Sequence, residues 1–308
     1  MKTIDLIREV SNVVKAQLPL DYCFDFDRWL CDNESIISKL PEVISSNLRD
    51  HFPLREEHWK MIYKELYGER PYSKEYILQH YRKYKKSIPY VVYPTKKNKP
   101  KLLVSFSGYI DYESYSRLSW FWDRQENWNG EYVFLFLCDI DKHWYVGTPQ
   151  NPKMDIYLSI IKEIIQQYDI ELKDTYFVGS SMGGYASLLF GVILNVGGVI
   201  AVHPQLNYKS AARYEKDNWK RQISECGYRF VEIDDLIAKS TVLPNIYLEI
   251  SQHCSDSCGV NELVAECVKK KSFVLINQDN TLEHNTQEPS LNKIMNLIDF
   301  FEKCNNFC

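Results

Sequence analysis

The sequence predicts an α/β protein, a mostly parallel sheet flanked by helices and preceded by a small helical region. Three observations carry that reading. From Ile88 onward, short apolar runs alternate with helix-length segments, as strand–helix repeats require. Ahead of that point, helical periodicity occurs without a convincing strand. With 308 residues, 45% of them hydrophobic, the chain is also long enough to bury a full core.

The helical region is expected over residues 1–86, where "SIISKLPEVISSNL" and "EEHWKMIYKELYG" are separated by Pro and Gly breaks. Residues 87–308 form the expected sheet domain, a boundary drawn on composition alone. Its strands read in order as "YVVY", "KLLVSF", "YVFLFLC", "TYFVG", "GGVIAVH", "NIYLEIS" and "SFVLIN". Nearly continuous apolar runs of this kind suit parallel strands covered on both faces. The basic stretch 82–101, with "RKYKK" and "KKNKPK", reads as a solvated linker. No internal repeat or low-complexity segment is present.

Composition narrows the function classes. A net charge of −4 argues against nucleic acid as main partner, since phosphate binding needs a strong basic footprint. No run of about 18 apolar residues suggests a membrane span, and "MKTIDLIREV" meets charges too early for a signal-peptide core. The expected compartment is the cytoplasm, with peripheral membrane attachment through a partner left open. Nine cysteines at scattered positions read as reduced thiols. His253, Cys254, Cys258 and Cys267 lack the paired spacing of a structural zinc site, so no metal is expected.

The informative stretch is "TYFVGSSMGGYASLLFG", residues 175–191, a buried strand, a tight turn and an apolar helix. In a nucleophile elbow the residues two before and two after the serine are small, because the backbone passes closely there. Gly179 and Gly183 meet that demand for Ser181. The alternative frame on Ser180 puts Val178 and Met182 at those positions, so Ser181 is the candidate nucleophile.

A serine hydroxyl needs a base and an oxyanion site. His284 follows the last strand-like run, in "QDNTLEHN", and is the candidate base; Asp256, in the loop after "NIYLEIS", is the candidate acid. Competitors are Asp279, which shares a loop with His284; Asp234 and Asp235, which read as a helix start; and His253, which precedes the last strand. The oxyanion hole calls for the N–H of Met182 and a second N–H from Gly108 or Tyr109, in "LLVSFSGYIDY".

Further candidates have an ordinary structural reading beside the functional one. His203, at the end of "GGVIAVH", borders the crevice at the strand ends and either contacts substrate or is a loop histidine stiffened by Pro204. Lys209, Arg213, Lys216 and Lys220 fall on one stripe of an expected helix, a phosphate-binding face or a solvated one. Trp120, Trp122 and Trp128 beside Arg117 and Arg124 suit either a sugar or anionic acceptor or core packing.

With "VSFSG", "VGSSMGGYASLLFG", "VIAVHPQLN" and the late Asp and His, residues 87–308 resemble the α/β-hydrolase superfamily. More narrowly they resemble the bacterial α/β-hydrolase-like O-acetyltransferases linked to capsular polysaccharide synthesis and accessory secretion. That resemblance implies a Ser181–Asp256–His284 triad, acetyl-CoA as acyl donor with no bound cofactor, and a sugar hydroxyl as acceptor. An esterase, thioesterase or deacetylase would share every one of these residues. A non-catalytic scaffold of a glycan-assembly complex is the reading from a different class. The acceptor, the oligomeric state and the role of residues 1–86 do not follow from the sequence.

Overall fold

The computed structural model describes residues 3–17, 30, 34–44, 52–67, 74–95, 97–110, 113–118, 131–212, 217–279, 281–282, 284 and 289–305. The chain divides into two compact units, Met1–His80 and Tyr81–Cys308. The first contains helices α1 (Thr3–Gln17), α2 (Glu34–Ile37), α3 (Leu40–Val43) and α4 (Glu56–Tyr67), and α5 (Lys74–Tyr81) runs up to the division. On α1 the residues Leu6, Ile7, Val10 and Val14 recur at helical spacing, and they meet Leu40, Ile44, Trp59 and Ile62 in a core of their own.

The second unit is an eight-stranded sheet with helices. Its strands are β1 (Arg82–Lys85), β2 (Ile88–Tyr93), β3 (Lys101–Phe106), β4 (Tyr132–Leu137), β5 (Thr175–Ser180), β6 (Gly198–Val202), β7 (Asn245–Ile250) and β8 (Val274–Gln278). Its helices are α6 (Met154–Gln167), α7 (Met182–Leu194), α8 (Tyr208–Ala212), α9 (Asp217–Cys226), α10 (Ile233–Lys239), α11 (Cys254–Ser257), α12 (Val260–Lys269) and α13 (Leu291–Asn305). The strand order is β1-β2-β4-β3-β5-β6-β7-β8. β2 runs antiparallel to both β1 and β4, and every other neighbouring pair is parallel.

One sequence expectation is corrected here. The stretch "RKYK" is a strand, β1, in the second compact unit, which begins at Tyr81. Its charges concealed it, yet charge is what an edge strand carries to discourage pairing with other chains. The basic stretch is therefore not a linker, since it contains the β1–β2 hairpin.

Every residue of β4, β5 and β6 is buried, as a parallel sheet covered on both faces demands. Helix α7 is apolar all round and buried almost throughout, so it lies within the unit and not on its surface. From β3 the chain crosses to β4 on one side, then returns to β5 on the other. The crevice at the C-terminal ends of β3 and β5 is thus the switch point where ligands bind in open α/β sheets.

Candidate active site

Ser181 stands at that switch point, between β5 and α7. Its backbone has φ 55° and ψ −122°, a conformation costly for a residue with a Cβ. The surroundings over-determine it. Its N–H donates to the Val202 carbonyl at 2.8 Å, and its own carbonyl accepts from the Tyr185 N–H at 3.0 Å. A Cβ at Gly179 would overlap the Gly183 carbonyl, and one at Gly183 would overlap the Phe106 carbonyl. The small residues flanking the serine are therefore steric necessities of the turn.

Although Ser181 is the N-cap of α7, its hydroxyl caps nothing. Its Oγ lies 3.0 Å from His284 Nε2 instead. His284 Nδ1 lies 2.6 Å from Asp256 Oδ1, with the histidine side chain 2% exposed and the aspartate fully buried. Burial alone would push the Asp256 carboxyl up, but hydrogen bonds from His203 and His284 hold it well below the usual carboxylate range. An ionised carboxylate only accepts, so His284 Nδ1 carries the proton. In the neutral imidazole Nε2 is then left bare, able to accept the Ser181 proton.

Asp256 has more company than the sequence suggested. Its Oδ2 accepts from the Ser251 hydroxyl at 2.6 Å and from His203 Nδ1 at 2.7 Å, and Ser255 Oγ lies 3.0 Å from Oδ1. His203, read from the sequence as either a substrate contact or a loop histidine stiffened by Pro204, is 1% exposed with Nδ1 directed at the Asp256 carboxylate.

The residues expected to donate to an oxyanion lie on two segments at the elbow, and a Cβ on Gly108 would sit 3.2 Å from the Ser180 carbonyl. As the first residue of α7, Met182 has an N–H without an intrahelical acceptor, at the positive end of the helix dipole. Across the crevice, Ser107 is fixed at three points. Its N–H donates to the Leu137 carbonyl at 2.9 Å, its Oγ accepts from the Ser116 N–H at 2.9 Å, and its carbonyl accepts from the Tyr145 hydroxyl at 2.9 Å. In a trans peptide the N–H points opposite to the carbonyl. Holding the Ser107 carbonyl therefore fixes the plane of the peptide that carries the Gly108 N–H.

Tyr109 has a different environment. Its half-buried ring packs on Trp144 and Trp219, with centroids 6.2 and 5.6 Å away, and Lys142 Nζ sits 5.3 Å above it. Trp219 in turn meets the His284 ring edge-on at 5.6 Å. These tryptophans were not singled out from the sequence. Trp120, Trp122, Arg124 and Trp128, which were, lie outside the described residues.

Arg117, the remaining member of that group, is buried, and its Nη2 donates to Ser180 Oγ at 2.8 Å. It braces the residue before the candidate nucleophile, which fits the packing reading of that group. The expected basic stripe is split between α8 and α9, since 213–216, with Arg213 and Lys216, lie outside the described residues. Lys209 and Lys220 are exposed.

The competing residues have other places. His253 caps α11 by accepting from the Ser255 N–H. Asp234 and Asp235 occupy the first turn of α10, and Asp279 accepts from Thr281. Among the described residues no cluster of three His, Cys, Asp or Glu side chains is arranged to hold a metal, and no helix is long and apolar enough to cross a membrane.

No protein-family model matches the chain, and no curated protein matches it by sequence. Solved structures do match. The capsule O-acetyltransferase of Neisseria meningitidis serogroup A superposes with a TM-score of 0.51 at 20% identity, over 72% of this chain and 93% of that one. A variant of the same enzyme in complex with CoA gives 0.50 at 19% identity, over 72% and 93%. A fluorophosphonate-binding serine hydrolase of Staphylococcus aureus, substrate bound, gives 0.52 at 10% identity, over 72% and 96%. A glycosylation-associated protein complex from Streptococcus agalactiae matches at 0.51 and 16% identity, over 73% of this chain and 45% of that one. With the strand order above, these likenesses give the chain the α/β-hydrolase fold.

Proposed function

We propose, from the α/β-hydrolase fold that the chain shares with those enzymes, that it is a serine-dependent O-acyltransferase. In this reading it moves an acetyl group from acetyl-CoA to a sugar hydroxyl of a bacterial surface polysaccharide or glycoconjugate. The observation that carries the reading is the buried relay from Ser181 Oγ through His284 to Asp256. The likeness to a capsule O-acetyltransferase, one form of which is described in complex with CoA, supports the choice of donor. Because acetyl-CoA is a cytoplasmic metabolite, the reaction belongs in the cytoplasm, on a precursor before export.

In the first half-reaction Ser181 Oγ attacks the thioester carbonyl while His284 Nε2 takes its proton. The N–H groups of Met182 and Gly108 receive the developing oxyanion. Collapse expels the CoA sulfur, which takes the proton from His284, and leaves an acetyl ester on Ser181. In the second half-reaction a sugar hydroxyl gives its proton to His284 and attacks that ester, and Ser181 Oγ leaves with the proton. Asp256 stays ionised throughout and stabilises the imidazolium in both halves.

Hydrolysis differs only in the final nucleophile, and the likeness to a serine hydrolase favours it as the second reading. An assay that follows CoA release from acetyl-CoA with and without an oligosaccharide panel separates the two. The transferase reading predicts slow release alone, faster release with the right acceptor, and an acetylated sugar as product. Fast, acceptor-independent release of acetate would favour the hydrolase. A Ser181→Ala chain that still supports glycan assembly in cells would favour the scaffold.

A further inference from the structure

The Asp256 carboxylate holds two histidines. His284 Nδ1 meets Oδ1 at 2.6 Å, and His203 Nδ1 meets Oδ2 at 2.7 Å. The two rings lie 5.9 Å apart at 77°, and both side chains are almost wholly buried. Because the carboxylate is ionised and only accepts, both Nδ1 atoms carry protons. The other groups facing His203 are Ser251, which shares Oδ2, and Asp279, whose Oδ2 lies 3.9 Å from His203 Nε2.

His203 is held in this place at a cost. Its backbone has φ 46°, a left-handed conformation uncommon for a residue with a Cβ. Its N–H donates to the Glu249 carbonyl at 2.7 Å, and Gln205 Nε2 donates to its carbonyl at 3.0 Å. Part of "HPQLN" therefore works as a clamp on His203. Strain retained by such a clamp at a reacting centre is a signature of function.

We propose that His203 is a positioning residue for the acyl-transfer reaction, orienting the Asp256 carboxylate toward His284 and taking up part of its charge. The proposal deepens the acyltransferase reading and rests on it. Together with the Ser251 hydroxyl, His203 fills the acceptor sites of Oδ2, which resists rotation of the carboxylate and keeps Oδ1 aimed at His284 Nδ1. The second donor also takes up part of the carboxylate's negative charge, so less of it faces His284.

Two measurements test this. The first is kinetic, with p-nitrophenyl acetate as acyl donor and His203→Ala and His203→Asn as variants. Asn accepts the left-handed backbone and can present an N–H near the Nδ1 position without titrating. His203→Ala should lower kcat about tenfold to hundredfold, the order expected for losing one hydrogen bond to a charged group, with KM unchanged. The acid limb of its kcat profile should move to higher pH, because the undivided carboxylate favours the His284 imidazolium. His203→Asn should restore most of kcat and return the limb. An unaltered kcat and limb in His203→Ala, or equal loss in both variants with the limb unmoved, would overturn the proposal.

The second measurement needs no activity and starts from the unsubstituted chain, with assignment by other variants, so it does not depend on His203→Ala folding. Proton NMR of the chain labelled with ¹⁵N-histidine should show two strongly deshielded Nδ1 protons. One should disappear in His203→Asn and the other in His284→Ala. A single such resonance, lost only in His284→Ala, would overturn the proposal. Absence of acyl chemistry with both resonances present would count against the acyltransferase reading and leave the pairing intact.

Discussion

The indole of Trp219 meets the imidazole of His284 edge-on, with ring centroids 5.6 Å apart and planes at 83°. Trp219 is 4% exposed on α9 and rests on Trp144, so the candidate base is walled by aromatic packing on one side and held by Asp256 on another. Edge-to-face pairs add specific geometry to their burial.

Trp219→Ala should therefore cost stability of about 3–5 kcal/mol through the cavity left behind. It should also lower turnover, because His284 gains room to rotate away from Ser181. Trp219→Phe, which keeps an aromatic edge, should lose much less of both. Urea denaturation and aryl-ester turnover of the two variants check this; equal turnover in Trp219→Ala and the unsubstituted chain would contradict it.

Tyr145 is wholly buried, and burial raises its phenol well above the ordinary value, so the hydroxyl stays a donor. It is shared between the Ser107 carbonyl at 2.9 Å and the Leu137 carbonyl at 3.1 Å. Tyr145→Phe keeps the ring and frees the Ser107–Gly108 peptide. Turnover should fall about tenfold with KM unchanged, less than the 10²–10³ expected for removing an oxyanion donor outright. Steady-state kinetics on an aryl ester provide the check.

Asp256 should also appear in the acid stability of the fold. Its folded-state pKa is depressed below the ordinary value of 3.8 by the two histidines, against burial, which works the other way. A depressed carboxylate contributes stability that is fully present above the unfolded value and is lost as pH falls toward the folded one. The unfolding free energy of the unsubstituted chain should thus fall more steeply below about pH 4 than that of Asp256→Asn. Urea unfolding at a series of pH values measures the difference, and parallel curves would contradict it.

Much of this site was legible in the sequence because its residues answer to local constraints. Gly179 and Gly183 mark the elbow since any Cβ there strikes a neighbouring carbonyl. Ser181, Asp256 and His284 follow from strand order and loop position, which an alternating pattern reveals. The parallel sheet was readable for the same reason.

What was hidden depends on contacts between distant segments. His203 pairs with Asp256 across 53 positions, and Arg117 with Ser180 across 63. Both residues stand out as candidates in the sequence, but spacing does not reveal these buried partners. Trp219 shares a helical i, i+4, i+7 face with Ile223 and Cys226 in "DNWKRQISEC", which marks it as buried but does not reveal His284 as its neighbour. Strand β1 was missed because its charges mask its period, and only its pairing with β2 identifies it.

The central claim is that Ser181 carries the acyl group. Intact-protein mass spectrometry after brief incubation with acetyl-CoA tests it most directly, comparing the unsubstituted chain, Ser181→Ala and His284→Ala, the last to slow turnover. A gain of about 42 Da, one acetyl group, that requires Ser181 is expected. An adduct of equal size and yield on Ser181→Ala, or none on any chain alongside undiminished acetyl transfer, would contradict it.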